Sequence, residues 1–138
     1  MPSVTDWRVD LCRRSYAAWV AGDAEALIEL YDPDCEWDVG PMAATGLGPV
    51  YRGHIGLRAM LGELTGAFEG FAPRILELRV FGEALLIRGD AIGTSQLMHV
   101  ETATAPFGQA IEFKQRRILR VSQTEDPPPN WDEAQPVS

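Results

Sequence analysis

Apolar positions recur at three- and four-residue steps through the first half of the chain and at two-residue steps through the second. Val9, Cys12, Tyr16, Trp19 and Val20 fit the helical period, with Thr5 or Asp6 placed to cap the helix and Gly22 to close it. Asp23 caps a second, short helix with Ala26, Leu27, Leu30 and Tyr31 on its apolar side. Asp32-Pro33-Asp34 ends that helix, because proline disfavours helical geometry in the residue ahead of it. Cys35, Trp37 and Val39 then alternate with Glu36 and Asp38, the pattern of a strand with one covered face. A loop rich in Gly, Pro and Ala runs from Gly40 to Tyr51. Gly53-His54-Ile55-Gly56 leads into a third helix carrying Leu57, Met60, Leu61, Leu64 and Phe68.

The second half reads as sheet. Leu76, Leu78 and Val80 share a face of a strand over 74–81, and Gly82-Glu83 turns the chain into a long strand from Ala84 toward Val100. Ala105-Pro106 is expected to interrupt the sheet before a strand from Phe107 to Lys114. Gln115-Arg116 makes the next turn, and Ile118, Leu119, Val121 and Gln123 lie on a last strand. The proline run after Asp126 cannot pair in a sheet, so one domain over 1–126 is expected to end in an extended surface tail, 127–138. Three helices followed by an antiparallel meander make an α+β domain, with the helices covering one face of a curved sheet. Such an arrangement leaves a hollow suited to a small molecule.

Composition narrows the partners. The 138 residues hold 12 Lys and Arg against 20 Asp and Glu, a formal net charge of −8. That field repels phosphate backbones and anionic lipid heads, which argues against nucleic acid and membrane surfaces. Cys12 and Cys35 match no zinc, redox or disulfide spacing and read as packed thiols of a reducing compartment. The first residues lack a basic and an apolar signal region, and no apolar run reaches bilayer length, so a cytoplasmic protein is expected. Nothing in the spacing of His, Cys, Asp and Glu calls for a metal or cofactor.

Three pieces carry a resemblance: Trp19-Val20-Ala21-Gly22-Asp23 with Ala26-Leu27, then Asp34-Cys35-Glu36-Trp37, then Tyr51-Arg52-Gly53-His54-Ile55-Gly56-Leu57-Arg58. In this order they resemble the SnoaL-like branch of the nuclear-transport-factor-2-like superfamily, whose members include ketosteroid isomerases, polyketide cyclases and epoxide hydrolases. The resemblance implies a cone-shaped α+β barrel of the cystatin-like kind, a curved mixed sheet wrapped with three N-terminal helices around a pocket. It also implies a homodimer formed through the sheet. Isomerase-like members place a tyrosine, an aspartate and another acid where this chain has Ser15, Val39 and Gln109. Tyr16 and Asp38 each stand one residue off, a turn of about 100° on a helix and the opposite face of a strand. The resemblance therefore carries no steroid-isomerase chemistry. Arg88-Gly89-Asp90 has the spacing of the epoxide-hydrolase pair, yet Leu85, Ile87, Gly89 and Ala91 form the more apolar face of that strand. Arg88 and Asp90 accordingly read as a solvated or dimer-facing stripe.

The remaining polar candidates divide by chemistry. Glu125, His99 and Asp38 are the nominees for acid–base catalysis, the first because burial would raise its pKa. Tyr16, Trp19, Trp37, His54, Gln109, Phe113 and Gln123 are the nominees for ligand contact. His54 equally fits a residue that fixes the entry of the third helix. Gln109 and Gln123 alternate with core residues on neighbouring strands, and two inward amides need partners, since an unpaired one costs on the order of 1–3 kcal/mol. Two functions follow: a pocket protein for a hydrophobic small molecule, or an acid–base enzyme of the cyclase, isomerase or epoxide-hydrolase type acting on one.

Overall fold

A computed structural model of the chain describes residues 6–41, 48–95 and 101–137, with 94, 95 and 101–105 described by backbone alone. Helix α1 (Trp7–Ala21) is capped by Asp6, whose carboxylate accepts from Arg8 N at 2.9 Å, and Gly22 closes it at φ 67°. Gly22 is needed there because only glycine enters the left-handed region without cost. Val9, Cys12, Tyr16 and Trp19 face the core as the spacing predicts. Val20 does not: one 100° step past Trp19, it is 53% exposed. Asp23 caps α2 (Ala24–Glu29) by accepting from Ala26 N at 3.1 Å.

The first strand, β1 (Tyr31–Asp38), starts four residues earlier than the pattern suggests. Pro33 is tolerated because the ladder with the last long strand breaks between Tyr31 and Glu36. Beyond β2 (Val50–Arg52), α3 (Gly53–Ala67) buries Leu57, Met60, Leu61 and Leu64. Phe68 is not its last turn but the first residue of β3 (Phe68–Phe81), which continues into β4 (Ala84–Ser95), β5 (Glu101–Lys114) and β6 (Arg117–Thr124). Pro106 does not interrupt β5. It stands opposite Asp90 on β4, while the ladder to β6 begins only at Gly108, so its missing N–H deprives no partner.

The seven strands among the described residues run in the order β2-β1-β6-β5-β4-β3-β7, with β1 parallel to β6 and the other pairs antiparallel. The sheet is curved and unclosed, and the register shifts along β3, at Glu69/Ala72 and Ile75/Glu77, are bulges of the kind that add bend. Leu85, Ile87, Ile111, Ile118 and Val121 line its inner face against α1 and α3.

The C-terminal segment corrects the expectation of a free tail. Trp131–Glu133 form a short 3-10 turn, and β7 (Gln135–Pro136) pairs with Val80 and Arg79 on the edge of β3. Trp131 and Ala134 are buried against Leu86 and Ala110 on the outer side of the sheet. The segment can pair despite its prolines because Val137 supplies the N–H, donating to Leu78 O at 3.1 Å. It covers part of the face through which the resemblance implies dimer contact. Among the described residues no helix is long and apolar enough to cross a membrane.

Candidate functional site

Between α1, α3 and the concave side of the sheet lies a cavity of about 490 Å³. Its walls are aromatic and aliphatic: Trp19 from α1, Trp37 from β1, Met60 and Leu64 from α3, Phe68 and Phe71 from β3, and Phe107 from β5. Trp19 and Trp37 meet edge to face, with ring centroids 6.2 Å apart and planes at 77°. That contact holds both rings in place without filling the space beside them.

Polar groups enter this wall as a directed chain. Gln109 and Gln123 stand directly opposite each other on β5 and β6. Tyr16 Oη donates to Gln109 Oε1 at 2.6 Å, and Gln109 Nε2 donates to Gln123 Oε1 at 2.8 Å. Each step has a fixed sense, because an amide oxygen only accepts and an amide nitrogen only donates. The chain ends on Gln123 Nε2, which donates to no described residue. Among the described residues no fully buried polar side-chain atom lacks a partner, and Gln123 lines the cavity, so this nitrogen opens onto it. Burial pushes the Tyr16 hydroxyl well above its ordinary value, so it keeps its proton and the chain keeps its direction at neutral pH. A second polar node lies beside it. Tyr31 Oη accepts from Trp37 Nε1 at 3.2 Å and stands 3.5 Å from Ser15 Oγ. Burial outweighs these hydrogen bonds and pushes the Tyr31 hydroxyl up to about 12.

Among the described residues, the cavity lining also carries two carboxylates, and the exposed one marks its mouth. Glu125 and Asp126 follow β6, and the chain there crosses closely over Gly108, where an added Cβ would collide with Glu125 O and lie 2.9 Å from Pro128 Cδ. Arg88 holds Asp126 through two bonds, Nε at 2.6 Å and Nη2 at 3.2 Å. Glu125 is exposed and has no ion-pair partner among the described residues.

Of the residues nominated from sequence, Tyr16, Trp19, Trp37, Gln109, Gln123 and Glu125 line the cavity. Glu125 does so as an exposed group at the rim rather than as a buried acid. Three others lie elsewhere. Asp38 faces away on the exposed side of β1 and accepts from Gly40 N at 2.9 Å, as strand alternation past Trp37 requires. His54 Nε2 lies 3.0 Å from the Tyr31 carbonyl oxygen, where it ties the start of α3 to β1. Phe113 packs edge to face on Trp7, with centroids 5.2 Å apart. His99 lies outside the described residues. Arg88 and Asp90 also stay off the cavity, paired with Asp126 and with Arg74. One correction runs the other way. Both Ser15 and Tyr16 reach the cavity, because the long phenol spans to Gln109 from a backbone position one step off the shorter side chain's.

Sequence reasoning missed Tyr31, Phe68 and Phe71 as cavity residues, having read the first two as helical. The signal available for Phe68 and Phe71 was their position beside Gly70, which takes φ 66° within a strand. Among the described residues no cluster of His, Cys, Asp and Glu could hold a metal ion.

Comparison with known proteins now adds the lineage. TerC, in a crystal structure with polyporic acid, is 24% identical, with 88% of this chain and 92% of that one covered and a TM-score of 0.76. An NTF2-like protein of unknown function from Burkholderia pseudomallei K96243 is 22% identical, covers 88% and 92%, and gives 0.77. A protein with a ketosteroid isomerase-like fold from Catenulispora acidiphila DSM 44928, in complex with trimethylamine, is 15% identical, covers 83% of each chain, and gives 0.72. At these identities the likeness establishes the fold alone. No curated protein matches the chain significantly. The family model for the SnoaL-like domain matches residues 12–124, and the chain belongs to that family.

Proposed function

We propose that this protein binds a hydrophobic small molecule carrying an acceptor oxygen, with the apolar body against the aromatic wall and the oxygen on Gln123. The observation that carries this reading is the directed chain Tyr16–Gln109–Gln123, which ends on an amide N–H with no partner among the described residues in a largely aromatic and aliphatic cavity. A donor that faces such a cavity suits a ligand carbonyl or ether oxygen. The similar structures solved with polyporic acid and with trimethylamine support a pocket that admits small organic molecules.

Calorimetric titration with benzophenone and with diphenylmethane tests it. The two probes differ by one carbonyl. Benzophenone is expected to bind about fivefold tighter, the worth of one net hydrogen bond of roughly 1 kcal/mol. In Gln123→Leu the difference disappears while diphenylmethane still binds. Failure of both probes to bind, or a carbonyl preference that survives in Gln123→Leu, overturns the reading.

The second reading is an acid–base enzyme, and Glu125 in the cavity lining is the observation that favours it. It requires turnover of a hydrophobic substrate that is lost in Glu125→Gln.

A further inference from the structure

The electrostatics of the mouth say more about the ligand than its oxygen does. Among the described residues that line the cavity, no side chain is cationic, and the ionisable carboxylates are Glu125 and Asp126. These two are not equivalent. Asp126 is neutralised by Arg88, whose Nη1 also lies 3.9 Å from Glu77 Oε1, so its charge is already spent on the protein. Glu125 has no such partner among the described residues, and it is exposed. A like charge approaching it meets an additional penalty from the net −8 of the whole chain.

An acidic rim alone identifies nothing. Here a second feature points independently to a ligand. Gln123, only 7% exposed, turns an amide nitrogen with no described partner into the same cavity from the residue two before Glu125. One cavity thus carries a buried amide and an exposed carboxylate two residues apart in its lining. Aromatic walls of the same cavity, Trp37 and Phe107 among them, accept an alkylammonium at their faces at little cost, whereas a carboxylate meets no cation among the described lining residues.

We infer that the mouth selects by charge, and that the preferred ligand is a hydrophobic amine whose ammonium group pairs with Glu125 while its acceptor oxygen lies on Gln123. This rests on the pocket reading above and adds a sign to it. The ligand class is that of amine-bearing aromatic ketones and ethers, with aromatic carboxylic acids rejected.

Three relatives of one probe test the sign. At pH 7, calorimetric titration is expected to rank 4-(aminomethyl)benzophenone about fivefold tighter than benzophenone, and 4-benzoylbenzoate about as much weaker, the upper end of what an exposed ion pair delivers. Raising the salt from 0.05 M to 0.5 M compresses the ranking, since both shifts are Coulombic. Glu125→Gln brings the amine and the acid together. Glu112→Gln, which removes an equal charge on the far side of β5 where Glu112 faces Arg120, keeps the ranking and so separates the local effect from net charge. Equal affinities for the three probes, or a ranking unchanged in Glu125→Gln, overturn the inference with the pocket reading intact. Binding of none of them overturns both.

Discussion

Gln109 is an amide at the position where the resemblance to isomerase-like proteins implies an acid, and that difference bears on what Tyr16 can do. An acid opposite Tyr16 could share a proton with a ligand, whereas the Gln109 amide oxygen only accepts a hydrogen bond from Tyr16 Oη, which keeps its proton. Tyr16 therefore acts by orienting the amide pair. Tyr16→Phe is expected to destabilise the protein by about 1–2 kcal/mol in urea unfolding, because it leaves Gln109 Oε1 buried without a donor. Adding Gln109→Leu is expected to cost less than the sum of the two single changes, since both partners of the bond are then gone. Additive costs would show that the bond orients nothing. This pair was legible in sequence because period-two alternation around Ile111 and Val121 turns Gln109 and Gln123 inward together. The pairing of Arg88 with Asp126 was not legible, since it spans 38 residues and depends on how the chain leaves β6.

At the scale of elements, local signals read well where one residue type enforces one geometry. Asp6, Asp23 and Gly22 mark helix ends by their capping chemistry, and Gln115-Arg116 turn the chain with φ of 49° and 62°. Signals failed where the outcome depends on the neighbouring strand. Pro33 and Pro106 read as breaks, yet each sits at a gap in one ladder, and no local pattern reveals such a gap. The same holds for the C-terminal segment, whose prolines suggested an unpaired tail. Its anchor is Trp131, buried on the outer side of the sheet, with the Arg79 guanidinium 4.5 Å from the ring centroid and Arg79 Nη1 donating to Trp131 O at 2.8 Å. Removing the ring loses its burial and the cation contact, so Trp131→Ala is expected to cost about 3 kcal/mol in urea unfolding. Benzophenone affinity should stay as in the parent, because this cluster lies across the sheet from the cavity. A change below about 0.5 kcal/mol would mean that the segment merely rests on the sheet.

For the whole molecule, charge acts on two lengths that pH separates. The excess of 20 acidic over 12 basic side chains repels itself at neutral pH, and mild acid relieves that repulsion as carboxylates gain protons. Against this stand carboxylates that native pairing holds below their ordinary range. Arg74 meets Asp90 through two bonds of 2.8 and 2.7 Å and lowers its pKa chiefly by hydrogen bonding, against an opposing effect of burial, and Arg8 does likewise for Asp6. The sign follows from linkage. Between the depressed folded value and the unfolded value near 3.9, the unfolded chain binds more protons, so stability falls as pH falls through that window. The contribution of the pair is whole above the unfolded value and gone below the folded one. Asp90→Asn removes it at every pH and leaves the long-range repulsion almost untouched. The thermal midpoint of Asp90→Asn is therefore expected below that of the parent at pH 7, with the gap closing as both are taken below pH 3. Because the Arg74 side chain is half in solvent, added salt should narrow the gap at pH 7 as well. A gap that stays constant from pH 7 to pH 2.5 would assign the loss to packing around Asp90, which is itself only 7% exposed, and not to its charge.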